Sequence, residues 1–387
     1  MTIVYFSTPW FMDCDLPLIK SLQDKGHTVY YLLSVSPNSA NATILNNCTL
    51  YPDYSIHNAK EYKCFAAFSA YIDLDYIYII NYPVGSLKSI YPILGSFRLF
   101  KKTLRFIEAV NCDVLHMTGI QRHFNYLLAK HFKSILVDTM HDPIPHDPDS
   151  ISAFQFWSAR LFFKLPQRVF LLNKKQGDAF CKRYNYPYEK LAYAKLGSYD
   201  CTPQISSSTK NNTDKYILFF GRIQPYKGVE NLIRAMRIVH KDLPTLKLVI
   251  AGKGIINEPI DITYTTFINR FISNEEIADL LKNALFDICP YLSATQSGVV
   301  STAFSMDVPI IATNVGGMAE SISDKETGLL IEPDNDRSLA DAIIYLYKNS
   351  GMRTKFIQNI QKERINGCYS WEKISDSYIR IYKKILK

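Results

Sequence analysis

Short apolar runs alternate along this chain with longer stretches in which apolar residues recur every three or four positions. Residues 2–7 form a β-rich run. Residues 15–25 follow with Leu16, Ile19 and Leu22 on one helical face, and residues 28–35 form a second apolar run after Gly26. That is a strand–helix–strand opening. Further buried strands are predicted at 76–80, 113–116, 135–139 and 168–172, with helices over 89–109 and 151–164, while the Asn-rich stretch 38–50 reads as a surface loop. Residues 201–214, rich in Ser, Thr and Asn and without periodicity, read as a linker.

The alternation then restarts. Strands are predicted at 216–220, 246–251, 264–268, 287–289 and 308–312, and helices at 229–239, 275–285, 299–306, 337–348 and 352–365. The architecture repeats although the sequence does not. The reading is α/β: two doubly wound, Rossmann-like domains over 1–200 and 201–368, with 369–387 as a terminal helical segment.

Composition narrows the partners. The 387 residues are 47% hydrophobic, and 44 Lys and Arg exceed 36 Asp and Glu to give a formal charge of +8. A basic surface of this kind favours anionic ligands or an anionic membrane. No nucleic-acid-binding module accompanies it, so nucleic acid is not an expected partner. The eight cysteines are widely spaced, without a C-x-x-C pair or metal-ligand spacing, as expected of scattered buried thiols in a reducing compartment. The first residues lack a basic segment followed by an apolar core, and no apolar run reaches the ~18 residues of a spanning helix. The expected location is the cytoplasm, with the inner face of its membrane as a candidate contact. The N-x-T triplets at Asn41, Asn47 and Asn211 are then chance.

Two loops carry the candidate chemistry. Gly221-Arg222-Ile223-Gln224-Pro225-Tyr226-Lys227-Gly228 follows a predicted strand and opens a helix, placing a planar guanidinium and a mobile ammonium at a sheet's C-terminal edge. Such a pair can neutralise a diphosphate. The stretch Tyr291-Leu292-Ser293-Ala294-Thr295-Gln296-Ser297-Gly298-Val299 precedes a second helix, whose unpaired N–H groups and positive end suit an anion. Taken alone it reads equally as an ordinary strand–helix connection. In the first half, the turn Ser7-Thr8-Pro9-Trp10-Phe11 and the loop His141-Asp142-Pro143-Ile144-Pro145-His146 also end predicted strands, where open sheets bind ligands. The first lacks G-x-G-x-x-G and is no dinucleotide fingerprint.

The segments GRIQPYKG, AGKG, NEEIADLLKNA, DICPYLSATQSGVVSTAFSMDVPIIATNVGGMAE and TGLLIEPDN occur in one order and spacing. In this the chain resembles the large retaining, nucleotide-sugar-dependent glycosyltransferase group of the GT-B fold, often called family 4. The resemblance is strong over residues 216–347 and weaker through PWFMDCDLPLIKSL and MHDPIPH. It implies two Rossmann-like domains facing a central cleft, and transfer of a sugar from a nucleotide-diphosphate donor to a hydroxyl acceptor with retention, in cell-surface polysaccharide or glycolipid assembly. Arg222 and Lys227 match the pair that holds the donor diphosphate. Gly221, Ser297, Gly298 and Val299 match the phosphate-facing backbone, and His141 resembles a histidine near the transferred sugar or acceptor. Pro9, Trp10 and Asp142 fall on the acceptor side, Asp142 as a structural partner of its loop. The implied partners are the nucleotide sugar and a sugar or lipid-linked saccharide, with no cofactor and no metal.

One departure stands out. Many members carry two glutamates at positions that here are Ala294 and Thr302, so ribose recognition through a carboxylate is missing. Thr295 and Gln296 are the candidates to contact the sugar in this variant turn. The same departure motivates a rival reading, a non-catalytic nucleotide-sugar-binding or scaffold subunit of a polysaccharide-assembly complex. A sugar-nucleotide epimerase of the same fold would need acid/base carboxylates that the matching loops lack. The D-x-D triplets at Asp13-Cys14-Asp15 and Asp73-Leu74-Asp75 suit a helix cap and a strand approach better than a metal site. The runs 98–106 and 154–164, which include Trp157, Phe162 and Phe163, mix basic and aromatic residues and are either membrane-facing helices or helices packed on their own sheet.

Overall fold

The computed structural model describes residues 1–40, 42, 44, 45, 48–84, 90–120, 123–143, 152–202, 215–294 and 298–386. The chain divides into two compact units, Met1–Lys195 with Trp371–Lys387, and Leu196–Ser370. Each is an α/β layer structure of the Rossmann type.

The first unit holds strands β1 (Thr2–Ser7), β2 (Thr28–Val35), β3 (Ser55–Asn58), β4 (Ile77–Asn81), β5 (Val114–Thr118), β6 (Leu136–Met140), β7 (Arg168–Leu171) and β8 (Leu191–Tyr193), in the order β3-β4-β2-β1-β5-β6-β7-β8. All neighbours run parallel except β3, which closes one edge antiparallel to β4. A parallel sheet covered on both faces needs continuous apolar strands. The fully buried Ile3, Val4, Leu32, Leu33, Leu115, Val137, Val169 and Phe170 supply them. Helices α1 (Met12–Asp24), α2 (Ile90–Ala109), α3 (His123–His131), α4 (Ala153–Phe162) and α5 (Gly177–Tyr184) make the crossovers.

The second unit has six parallel strands, β9 (Tyr216–Phe220), β10 (Lys247–Ala251), β11 (Thr265–Ile268), β12 (Ala284–Cys289), β13 (Ile310–Thr313) and β14 (Gly328–Ile331), ordered β11-β10-β9-β12-β13-β14. The order reverses between β9 and β12, and the crevice at that switch point is where such sheets place ligands. Helices α6 (Val229–Asp242), α7 (Asn274–Asn283), α8 (Gly298–Ser305), α9 (Met318–Ser321), α10 (Asp336–Lys348) and α11 (Ser350–Asn366) surround it. A last helix, α12 (Trp371–Ile385), returns to the first unit. It is pinned against α1 and the sheet: the Ser21 hydroxyl donates to the Trp371 carbonyl at 2.9 Å, Tyr378 stacks on Phe170 at 4.1 Å, and the Tyr382 hydroxyl lies 2.6 Å from His116 Nδ1.

Several expectations need correction. The stretch 38–50 is not a surface loop where it is described, because Ala40, Ala42, Ile44, Leu45 and Cys48 are buried. Its Asn content masked an apolar residue at almost every second or third position. Helix α1 begins at Met12 after a 3₁₀ turn at Pro9–Phe11, and Asp13 and Asp15 lie inside its first turn rather than capping it. Negative charge there still suits the helix dipole. Strands β3, β8 and β14 and helices α3 and α5 escaped the sequence pattern. The cysteines are not uniformly buried: Cys64, Cys112 and Cys181 are partly exposed and Cys368 is exposed.

One buried group marks a cost in the first sheet. Asp138 on β6 is fully buried, and neither carboxylate oxygen has a hydrogen-bond partner among the described residues. Burial pushes its pKa well above the ordinary carboxylate value. The folded state therefore holds a proton that the unfolded chain releases above its usual pKa, and stability falls as pH rises above that value. Replacing Asp138 by Val is expected to stabilise the protein by ~1–3 kcal/mol near neutral pH, read from urea unfolding, and to flatten that slope.

Candidate donor and acceptor sites

The loop after β9 is built around two glycines that only glycine can fill. Gly221 has φ +117°, and a Cβ there would sit 3.2 Å from Lys227 Nζ and 3.7 Å from Val299 Cγ2. Gly228 has φ +63°, and its Cβ would lie 2.0 Å from the Pro290 carbonyl oxygen. The close approaches bring the 221–228 loop against both the segment after β12 and the first turn of α8. A backbone hydrogen bond fixes the first of these approaches, Leu292 N–H donating to Tyr226 O at 2.7 Å, and a second, from Gly221 N–H to Ala251 O at 3.0 Å, ties the loop to the end of β10.

Lys227 turns inward from this loop and is 9% exposed. Its ammonium donates to the Tyr291 hydroxyl at 2.8 Å and lies 4.6 Å from the centre of that ring. Burial lowers its pKa to about 8, with the nearby Arg222 charge adding to the effect, while Cys289 and Asp287 on β12 oppose it. An ammonium held in so poorly solvated a place is under-compensated, and an anion entering the crevice would relieve it. Arg222, by contrast, is exposed and makes no hydrogen bond to the described residues. One cation is thus anchored and the other is available to reach.

Gly298 and Val299 begin α8 at the same end of the sheet. Thr302 is partly buried, and its hydroxyl donates to Gly298 O at 2.8 Å within the helix. It therefore keeps only acceptor capacity toward a ligand, unlike a carboxylate with two charged oxygens. Ala294 is 9% exposed, and its carbonyl oxygen lies 1.7 Å from where a Gly316 Cβ would be. The expected sugar contacts Thr295 and Gln296, and the expected phosphate donor Ser297, lie outside the described residues.

In the first unit, β1 and β6 end close together. Pro9 is buried, Trp10 is 55% exposed and Asp142 is exposed. His141 is buried and stacks on Phe11 with ring centres 4.2 Å apart. Burial lowers its pKa to about 4, against a smaller opposing pull from Asp142, so the ring is neutral at pH 7 and can exchange hydrogen bonds without carrying charge. Two residues that motif reasoning set aside stand beside it. Cys14 Sγ is 3.8 Å from His141 Nε2, and the adjoining Asp15 carboxylate accepts from Tyr5 and Tyr31, each at 3.0 Å. Asp15 is buried, which raises its pKa to about 7. Only the fold brings position 141 back to positions 14 and 15; no local spacing signals it.

Residues 202–363 match the family described as glycosyl transferases group 1. An uncharacterized glycosyltransferase of Methanocaldococcus jannaschii is 25% identical over 311 residues, covering 73% of this chain and 78% of that protein. A glycosyltransferase of Rickettsia africae superposes with a TM-score of 0.65 at 18% identity, covering 100% of this chain and 98% of its own. Anabaena HepE in complex with UDP gives 0.64 at 14% identity, covering 99% and 100%. The chain has the GT-B architecture of two Rossmann-like units, and the group 1 match in the second of them, with the relatives' names, supports a glycosyltransferase.

Proposed function

We propose that the chain is a metal-independent, retaining glycosyltransferase of the family 4 type, moving a sugar from a nucleoside-diphosphate sugar to a hydroxyl acceptor. The observation that carries this reading is the buried Lys227 ammonium, held by Tyr291 under Gly221 and beside the start of α8. In this scheme Lys227 and Arg222 bind the diphosphate, and the N–H groups of Gly298 and Val299 add hydrogen bonds. As the bond from the anomeric carbon to the diphosphate oxygen breaks, negative charge grows on the phosphate, and these fixed donors stabilise it more than they stabilise the ground state. The acceptor oxygen bonds to the anomeric carbon on the face the diphosphate leaves. Its proton passes to the departing phosphate oxygen, so no carboxylate base is required. His141, neutral and stacked, orients the sugar or acceptor by hydrogen bonding, with Pro9 and Trp10 beside it. The bound UDP of Anabaena HepE lends the scheme support at the level of the fold.

Thr302 in place of a glutamate predicts weak ribose recognition, compensated by the diphosphate grip. Purified protein incubated with a panel of nucleotide sugars and sugar acceptors tests the scheme. Transfer or slow donor hydrolysis supports it. Tight donor binding without any turnover would favour the scaffold reading.

An acceptor tethered to a lipid fits the outer surface of the first unit. Phe154, Trp157 and Leu161 on α4 are 77%, 58% and 51% exposed, while Phe162 and Phe163, which the sequence grouped with them, are buried. Arg160 lies over the Trp157 ring at 5.3 Å. No described helix is long and apolar enough to cross a membrane. Replacing both Phe154 and Trp157 by Ser is expected to reduce sedimentation with anionic vesicles at least about tenfold. Unchanged sedimentation would remove the membrane from the scheme.

A further inference from the structure

Cys14, Asp15 and His141 form the only cluster among the described residues in which three potential metal-ligating side chains converge. All three are buried, and their ligand atoms lie within 4.8 Å of one another. The thiol sulfur is 3.8 Å from His141 Nε2 and 4.0 Å from Asp15 Oδ1. A tetrahedral zinc ion with bonds of about 2.3 Å to sulfur and about 2.0–2.1 Å to nitrogen or oxygen separates such ligands by roughly 3.5–3.6 Å. The two sulfur distances exceed this by only a few tenths of an ångström, and the Asp15 and His141 ligand atoms, within 4.8 Å of each other, close on the ion by a side-chain rotation. The outer partners are also present: Tyr5 and Tyr31 each donate to a different Asp15 oxygen, and Phe11 stacks on the imidazole. Second-sphere hydrogen bonds and packing of this kind fix ligand orientation in metal sites.

From this juxtaposition we infer that the first unit binds one zinc-class divalent cation through Cys14 Sγ, the Asp15 carboxylate and His141 Nε2. The thiol releases its proton to solvent as the metal–sulfur bond forms, Asp15 binds as the anion, and neutral His141 gives its Nε2 lone pair. The site is then uncharged overall, with a fourth position open to water. A hard cation such as Mg²⁺ gains little from a thiolate and an imidazole, whereas Zn²⁺ and Co²⁺ are suited to both. The ion is inhibitory rather than catalytic, because it occupies the His141 nitrogen on the acceptor side. That consequence rests on the proposed transfer reaction, but the binding itself does not.

Cobalt is the probe. Reduced, chelator-treated full-length protein is titrated with Co²⁺ at pH 8. One equivalent is expected to produce an intense sulfur-to-cobalt charge-transfer band in the near ultraviolet and visible bands of tetrahedral intensity, both bleached by Zn²⁺. Cys14→Ser should abolish the charge-transfer band, and His141→Gln should weaken Co²⁺ binding more than about tenfold while retaining it. Circular dichroism checks that each variant folds, and the His141→Gln arm serves if Cys14→Ser does not. No thiolate band in the wild type, or bands that persist unchanged in Cys14→Ser or His141→Gln, would overturn the site. Inhibition of transfer by micromolar Zn²⁺ that Cys14→Ser relieves tests the consequence separately.

Discussion

Replacing Lys227 by Met is expected to lower kcat/KM for sugar transfer about 10²–10³-fold while making the protein more stable. Both effects follow from one geometry. The ammonium is 9% exposed, and its pKa falls from 10.5 to about 8 chiefly because burial removes its water. Between those two values the unfolded chain binds more protons at this position than the folded one. Stability contributed by Lys227 therefore rises with pH across that window, and the full penalty is present below about pH 8. A difference of 10.5 − 8, or 2.5 units, corresponds to about 3 kcal/mol at neutral pH. Methionine fills a similar volume without the charge. Urea unfolding should show the variant more stable by ~1–3 kcal/mol at pH 7, with the advantage shrinking toward pH 10. A variant that is both inactive and less stable would mean that the ammonium is a structural ion, not one held for a ligand.

Replacing Gly228 by Val is expected to destabilise the second unit by about 3–5 kcal/mol and to abolish donor binding. The backbone is left-handed at φ +63°, which costs a residue with a Cβ ~1–2 kcal/mol before any contact is considered. The added Cβ then meets the Pro290 carbonyl oxygen at 2.0 Å, a backbone atom that cannot rotate away. Relief requires parting the 221–228 loop from the segment after β12, the two pieces that hold Lys227 against Tyr291. Gly26 provides the control. Its φ of +79° carries the same backbone penalty, but nothing lies within 4 Å of its Cβ, so Gly26→Val should lose only the ~1–2 kcal/mol. Equal losses at the two positions would show that the approach to Pro290 is unimportant.

Much of the architecture was readable because parallel strands buried on both faces must be continuous apolar runs. Thr2–Ser7, Thr28–Val35 and Tyr216–Phe220 declare themselves in this way, and their predicted bounds coincide with the observed ones. The elements that escaped are short or sit at sheet edges: Ser55–Asn58, Leu191–Tyr193 and Gly328–Ile331 have three or four residues each, too few for a period to show. Helix α5, with its Gly177 start and charged Lys182 and Arg183, lacks a long apolar stripe. In the candidate site, residue types and their order raise the expectation of a diphosphate grip at Arg222 and Lys227. The asymmetry between them was not legible, since burial of Lys227 depends on Tyr291 reaching it from 64 positions away. Nor was the pairing of Cys14 with His141, separated by 127 positions and joined only because β1 and β6 end at the same edge of one sheet.

In the proposed reaction the second unit grips a nucleoside diphosphate through Lys227 and Arg222. Isothermal titration of the full chain with UDP, GDP, ADP and TDP, and with their sugar conjugates, tests it most directly. The prediction is saturable one-to-one binding of one nucleoside diphosphate, weakened at least about tenfold in Arg222→Ala and in Lys227→Met, with the corresponding sugar nucleotide as the donor that is turned over. Binding of every nucleotide that is absent in the wild type, or undiminished in both variants, would contradict it.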